Sequence, residues 1–201
     1  MSEEAMIVLK MAKSIPLFDG DYIGADKGAF ICAQKGIMME MAIGDFDSVS
    51  PEETEIIQKW CRHFIRLNPV KDDSDSESAV NHAFSAGYKK VYLVGALGGR
   101  MDHAYVNVQL VKKNPGRVVL LDGQNRLEAF PAGEYEFDCT YPYISFFSQN
   151  AVITLEGFRY PLAKRRITSE DIYTLSNEVT EEKGKLTVHE GVVLVIQCRD
   201  K

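Results

Sequence analysis

The chain of 201 residues carries a net charge of −6, with 45% hydrophobic and 26% charged residues, the balance of a globular protein with a real core in one large domain or two small ones. The acidic balance argues against nucleic acid as a partner, no run reaches the ~18 apolar residues of a membrane span, and the acidic start MSEEAMIVLK is unlike a secretory signal. Cys32, Cys61, Cys139 and Cys198 are scattered with no CxxC pair, which points to free thiols in a reducing, cytoplasmic setting rather than a disulfide frame or a zinc site.

Strand and helix signals alternate through the first 120 or so residues. MIVLK (6–10), YIGA (22–25), MEMAIG (39–44), HFIRL (63–67), KVYLVGA (90–96) and RVVLLD (117–122) read as short strands, several of them unbroken apolar runs of the kind covered on both faces. A helix is expected from Ser50, with Pro51 at its first position and Glu53 completing a capping box. A second starts at Ser74 or Asp75 and stops at Gly87, and a third covers 102–114 before Pro115-Gly116. This is the pattern of a mostly parallel α/β sheet. Beyond Asp122 the runs RLEAF, EYEFD, ISFFS, AVITLEG, IYTLS, KLTVHE and VVLVIQC alternate in the β manner without a helical period, so a small antiparallel β-sandwich or barrel follows a boundary at 122–126.

Ligands of open α/β sheets bind outside the carboxyl ends of the strands, and the acids collect there. Asp26 follows YIGA, Asp45 and Asp47 follow MEMAIG, Asp72, Asp73 and Asp75 lie beyond HFIRL, and Asp102 follows KVYLVGA. Crowded carboxylates repel, by about 4 kcal/mol for unit charges about 4 Å apart at an effective dielectric of about 20, and a bound cation or simply water around a surface turn can offset this. Oxygen donors without Cys or paired His suit Mg²⁺. GALGGRMDH (95–103) places glycines between a strand and a helix, where backbone can approach an anion and Arg100 can grip phosphate oxygens. Each motif alone has an ordinary reading as a turn, a cap or a solvated charge run. Together they suggest phosphoryl or pyrophosphoryl transfer from a nucleotide, with the acceptor unnamed.

The ordered set GADKGA, IGDFDS, KDDSDSESAV, GALGGRMDHAYVN, GFRYPL and SNEV resembles the thiamine pyrophosphokinase family, also called thiamin diphosphokinase. The resemblance implies a nucleotide- and metal-binding α/β catalytic domain over 1–122, and a thiamine-binding and dimerisation β-sandwich over 123–201. It implies the reaction of ATP with thiamine to give thiamine diphosphate and AMP, with Mg²⁺, in a homodimer whose active sites are shared between subunits. Carried over by position, Asp45, Asp47, Asp72 and Asp75 are the expected metal ligands, and Asp47, Asp72, Asp75, Arg100 and Asp102 the expected catalytic set. Either Asp72 or Asp75 is expected to take the thiamine hydroxyl proton. Asp26, Lys27, Ser48, Lys71, Ser74, Gly98, Gly99, His103 and Asn107 are expected around the nucleotide, and Ser148, Ser176 and Asn177 on the thiamine side.

The chain departs from the family pattern at three places. Lys27 stands where glycine is usual, Ser74 replaces a threonine, and KMAKSIPLFDG occupies the first loop in place of an Asn-Gly segment. A long cation beside Asp26 could weaken metal binding or contact phosphate. Two other functions share these residues: a Mg²⁺-dependent nucleotide phosphohydrolase using water as acceptor, and a nucleotide or thiamine-diphosphate sensor that binds without turnover.

Overall fold

The apolar runs of the first hundred residues fold as a parallel sheet. In the computed structural model, which describes residues 2–68 and 73–200, the elements are β1 (Glu4–Val8), β2 (Asp21–Ala25), α1 (Lys27–Gln34), β3 (Met39–Gly44), α2 (Pro51–Lys59), β4 (Cys61–Arg66), α3 (Asp75–Ser85), β5 (Lys90–Val94), α4 (Met101–Lys113) and β6 (Val118–Leu121). The strand order is β4-β3-β2-β1-β5-β6. Ile7 sits opposite both Ile23 and Leu93, and Ala42 opposite Gly24 and Phe64, all in parallel register. The order steps outward from β1 to β4 and then returns to place β5 on the other side of β1. The carboxyl ends of β1 and β5 therefore flank a topological switch point, where ligands of such sheets bind.

The capping box is present. Ser50 Oγ accepts the Glu53 N–H at 3.2 Å, Glu53 Oε2 accepts the Ser50 N–H at 3.1 Å, and Pro51 opens α2. Ser74 caps α3 by accepting the Glu77 N–H at 3.2 Å. Helix α1 escaped the sequence reading for a physical reason. It has no side-chain cap, and its buried face is Gly28, Ala29, Cys32 and Ala33, small residues that give a faint amphipathic signal. They are small because the helix lies almost on the strands: a Cβ at Gly28 would stand 2.0 Å from the Val8 carbonyl oxygen. Met6, Val8, Ala29, Cys32, Met39, Ala42, Phe46, Ile57 and Val94 form a core between sheet and helices.

The chain divides into two compact units, Met1–Leu110 with Leu120–Asp122, and Val111–Val119 with Gly123–Lys201. The second unit contains β7 (Asn125–Phe130), β8 (Gly133–Phe137), β9 (Tyr143–Phe147), β10 (Asn150–Glu156), β11 (Leu162–Thr168), β12 (Gly184–Glu190) and β13 (Val193–Cys198). They pair antiparallel in the orders β7-β13-β9 and β11-β10-β12-β8. Phe137, Ile144, Phe146, Ile153, Leu155, Phe158, Leu186, Val188 and Val195 fill the sandwich between them, with Phe146 and Phe158 edge to face at 5.4 Å.

One reading of the sequence is corrected by the structure. IYTLS (172–176) is not a strand: only isolated bridges, Ile144–Asn177 and Phe158–Val179, mark that region. Ile172, Tyr173 and Leu175 are exposed, so the alternation there does not report a buried face. LAKRRIT is strand β11 at one edge of its sheet, with Lys164, Arg165 and Arg166 all exposed. Charged residues are well placed on an edge strand, where they discourage pairing with another chain.

Candidate active site

The acidic motifs meet where β2 and β3 end. Asp26 follows β2 in a left-handed conformation, φ 48°. Its N–H donates to the Ile43 carbonyl at 3.0 Å, and its carboxylate Oδ1 accepts the Phe46 N–H at 3.1 Å. Gly44 is required by this arrangement, since a Cβ there would lie 1.9 Å from Asp26 Oδ1. Phe46 is also left-handed, φ 58°. A non-glycine residue in that region costs on the order of 1 kcal/mol or more and persists only where its surroundings enforce it. Phe46 is enforced by burial and by stacking on Phe64 at 4.5 Å, with the Arg66 guanidinium 5.9 Å from its ring centre. Within the turn, Asp45 Oδ1 accepts the Asp47 N–H at 3.0 Å. Asp45 is half-buried, and Asp47 and Ser48 are exposed. Anchoring the loop through Asp26 and Phe46 leaves Asp47 outward and Asp45 half-buried beside it.

Lys27 does not lie against these acids as a lone cation. Its Nζ contacts both carboxylate oxygens of Glu53 at 2.7 Å and stands 5.2 Å over the Phe30 ring. Glu53 is the residue that accepts the Ser50 N–H. Its carboxyl is held below the usual range by the Lys27 hydrogen bond first and the Ser50 N–H second.

A second polar group ties α3 to α4. Ser74 Oγ lies 3.1 Å from Ser76 Oγ, Ser76 Oγ donates to Asn107 Oδ1 at 2.6 Å, and Asn107 Nδ2 donates to the Ala96 carbonyl at 2.8 Å. The protons have one consistent assignment. Asn107 Oδ1 can only accept, so the Ser76 proton goes to it, and Ser74 must donate to Ser76. Ser76 and Asn107 are buried. Asn107 therefore acts through the Ala96 carbonyl, which it fixes at the end of β5, and Asp75 stands exposed at the start of α3.

At the switch point the loops after β1 and β5 interlock. The Leu9 N–H donates to the Val94 carbonyl at 2.8 Å, and a Cβ at Gly95 would stand 2.3 Å from the Ala12 nitrogen. The unusual first loop thus seats the glycine loop. Gly98 and Gly99 hold φ values of 94° and 67°, a region L side chains seldom enter. Arg100 is forked onto Asp102, Nε to Oδ1 at 3.1 Å and Nη2 to Oδ2. This guanidinium contact, with the His103 N–H on Oδ1 at 2.9 Å, brings the Asp102 carboxyl down to about 2. Both side chains are exposed, as is His103.

In the second unit the expected thiamine-side residues are mostly turned to the protein. Asn177 is 3% exposed. Its Oδ1 accepts the N–H groups of Tyr160 and Glu178 at 3.0 Å, and its Nδ2 donates to the Tyr160 carbonyl at 2.9 Å. Its own backbone pairs both ways with Ile144, at 2.8 and 2.9 Å. Ser148 Oγ donates to the Val192 carbonyl at 2.7 Å and accepts the Asn150 N–H at 3.1 Å, closing the turn between β9 and β10. Ser176 is exposed at φ 54°, its N–H donating to the buried Ser145 hydroxyl at 2.9 Å.

The structure thus joins Asp26 to the Asp45–Ser48 loop, and Ser74 to Asn107. Lys71 and Asp72 lie outside the described residues. Glu53 and Ser145 lie outside the motifs, while Ser76 and Tyr160 lie inside KDDSDSESAV and GFRYPL but are not among the expected site residues. The capping box was the one sequence signal for Glu53, and a hydroxyl inside the first turn of a helix could have singled out Ser76.

Among the described residues, no three His, Cys, Asp or Glu side chains converge into a ready-made metal cluster. Asp45 and Asp47 offer two hard carboxylates on one short loop. This fits Mg²⁺, which takes one or two carboxylates and completes its shell with water and substrate phosphates.

A parallel sheet with acids at the ends of β2 and β3 and a glycine-arginine loop at its switch point, followed by an antiparallel sandwich, is the layout of an α/β phosphotransferase with a second, β-built unit. Residues 21–120 match the family model described as thiamin pyrophosphokinase, catalytic domain, and residues 134–193 the one described as thiamin pyrophosphokinase, vitamin B1 binding domain. The thiamine pyrophosphokinase of Bacillus subtilis (strain 168) is 34% identical over 187 residues, covering 89% of this chain and 87% of that protein. A crystal structure of thiamine pyrophosphokinase from Bacillus subtilis is similar with a TM-score of 0.85 at 30% identity, covering 98% of this chain and 100% of that one. A thiamin pyrophosphokinase family protein from Enterococcus faecalis is similar with a TM-score of 0.88 at 26% identity, covering 100% of both chains. The chain belongs to the thiamine pyrophosphokinase family.

Proposed function

We propose that this chain transfers the pyrophosphoryl group of ATP to the hydroxyl of thiamine, giving thiamine diphosphate and AMP. The observation that carries the reading is that one chain holds both parts the reaction needs, a match to the family's catalytic domain over 21–120 and to its vitamin B1 binding domain over 134–193. In this reading residues 1–122 bind nucleotide and metal, and residues 123–201 bind thiamine and dimerise.

Asp45 and Asp47 would hold Mg²⁺, with Asp72 and Asp75 as further oxygen donors, and the ion would supply charge compensation for the polyphosphate. Arg100 turns its fork from the Asp102 carboxylate to phosphate oxygens of the same bidentate geometry. Gly98 and Gly99 let the backbone close on the nucleotide. The thiamine hydroxyl attacks the β-phosphorus, and Asp72 or Asp75 takes its proton as AMP leaves. Asp26 keeps the acidic loop in place throughout. Lys71, Ser48 and His103 belong to the nucleotide side, Ser74 and Asn107 shape it through their shared hydrogen bonds, and Ser176 presents its hydroxyl on the thiamine side.

All four cysteines are free thiols, which supports a cytoplasmic setting. Among the described residues no helix is long and apolar enough to cross a membrane. A homodimer with shared sites belongs to the same reading. Asp47→Asn mixed with an inactive thiamine-side variant such as Ser176→Leu should recover about a quarter of wild-type activity through hybrid dimers, and no recovery, with exchange verified, rejects shared sites.

The direct test is incubation with ATP and Mg²⁺, with and without thiamine. AMP should appear only with thiamine, and label on the β- and γ-phosphates should travel together into thiamine diphosphate. Thiamine-independent hydrolysis identifies a phosphohydrolase instead, binding without products a sensor. ADP with thiamine monophosphate means γ-phosphoryl transfer and rejects the reading.

A further inference from the structure

We propose that Lys27 is a positioning residue for the acidic loop, acting through Glu53, and that it is not a phosphate ligand. The inference rests on the reading that Asp45 and Asp47 serve the metal–nucleotide complex. Two adjacent residues grip that loop at two places. Asp26 accepts the Phe46 N–H at 3.1 Å. Lys27 binds both oxygens of Glu53 at 2.7 Å, and Glu53 Oε2 accepts the Ser50 N–H at 3.1 Å. Asp47, Ser48 and Val49 lie between these grips. The Val49 N–H, donating to the Phe46 carbonyl at 3.3 Å, closes the turn from within. With the left-handed Phe46 inside the span, the loop keeps its shape only while both ends are held.

The Lys27 ammonium can satisfy the pair of Glu53 oxygens or a phosphate, but reaching a phosphate would strip the capping carboxylate of its counter-charge. Lys27 is 37% exposed and Glu53 22% at the side chain, so the pair sits at the surface, where it adds little to global stability. Its effect is local. Positions supporting metal ligands from behind commonly change metal affinity by tenfold or more when lost.

The test combines amide exchange on the ligand-free protein with Mn²⁺ binding in the presence of a non-hydrolysable ATP analogue. Lys27→Met should speed exchange at the Phe46-to-Ser50 amides and weaken Mn²⁺ binding roughly tenfold, with the KM for thiamine unchanged. Glu53→Gln, which keeps an acceptor for the Ser50 N–H but loses the charge, should behave alike, and the double variant should be no worse than either single one. Lys27→Arg should restore Mn²⁺ affinity to within about twofold, as a retained cation allows. Unchanged amide exchange in Lys27→Met overturns the proposal, and so do effects that multiply in the double variant. Tighter analogue binding in Glu53→Gln would mean a freed Lys27 reaching phosphate, and also overturns it. If Asp47→Asn leaves Mn²⁺ affinity intact while Lys27→Met still loosens the loop, the metal assignment fails and the tether stands.

Discussion

The acidic loop after β3 and the Ser176–Asn177 segment after β11 both carry family motifs, yet they use their polar side chains in opposite ways. Asp47 is exposed, Asp45 half-buried, and the anchoring is done by neighbours: Asp26, Phe46 and Glu53. Asn177 is buried with both polar atoms of its amide bonded to backbone. A motif residue that faces outward while others hold the backbone keeps its charge accessible to a ligand. One whose side-chain donors and acceptors are engaged internally holds the backbone around it.

The strongest way to break that contrast is Asn177→Ala. It removes the partner of the Tyr160 N–H, the Tyr160 carbonyl and the Glu178 N–H, and stability should fall by roughly 2–3 kcal/mol, read as a lower denaturant midpoint. A variant of wild-type stability that has lost only thiamine binding would show Asn177 to be a direct ligand. Asp47→Asn should do the reverse. Turnover should drop at least tenfold, about 1.4 kcal/mol in barrier, with the denaturant midpoint unmoved, since Asp47 offers its charge to solvent. Wild-type turnover at limiting Mg²⁺ would remove it from the metal set. Ser76→Ala tests whether the hydroxyl chain is frame or site. Leaving Asn107 Oδ1 without its donor should cost about 1 kcal/mol of stability and shift KM for ATP more than KM for thiamine.

The smallest effect sharpens the picture at Arg100. Asp102 titrates at about 2, held down by the Arg100 fork. A carboxyl depressed in this way contributes fully above its unfolded value near 4 and loses that contribution only as pH falls toward 2. The pair is therefore intact at neutral pH. Followed by carbon NMR, the Asp102 midpoint should return toward the ordinary value in Arg100→Met. The same rise on adding ATP would report Arg100 exchanging its carboxylate for phosphate, and no shift with ATP bound would remove Arg100 from the phosphate site.

Much of the frame was legible because it follows from local rules. Ser50, Pro51 and Glu53 spell a helix start that the structure reproduces bond by bond, and MEMAIG is strand β3 residue for residue. Acids at strand ends predicted the edge where ligands are expected. Three features resisted for different reasons. Helix α1 hides because close packing on the sheet selects small residues, which weakens periodicity. IYTLS imitates a strand because alternation cannot tell a buried face from an exposed segment. The buried amide of Asn177 and the partnership of Lys27 with Glu53 are tertiary facts. The latter residues stand 26 positions apart, and nothing in either neighbourhood names the other.

The Asn177 amide pairs with the N–H and carbonyl of Tyr160 as one more peptide group would, so a side chain substitutes for a missing stretch of ladder. A loop braced this way does not depend on most of the side chains it displays. Ile172 and Leu175 are exposed on a frame set by Asn177, Thr174 and the β9 backbone. Those positions can be substituted at little cost to folding, and a surface that changes cheaply is one on which what the protein touches can be retuned while the scaffold stays unchanged.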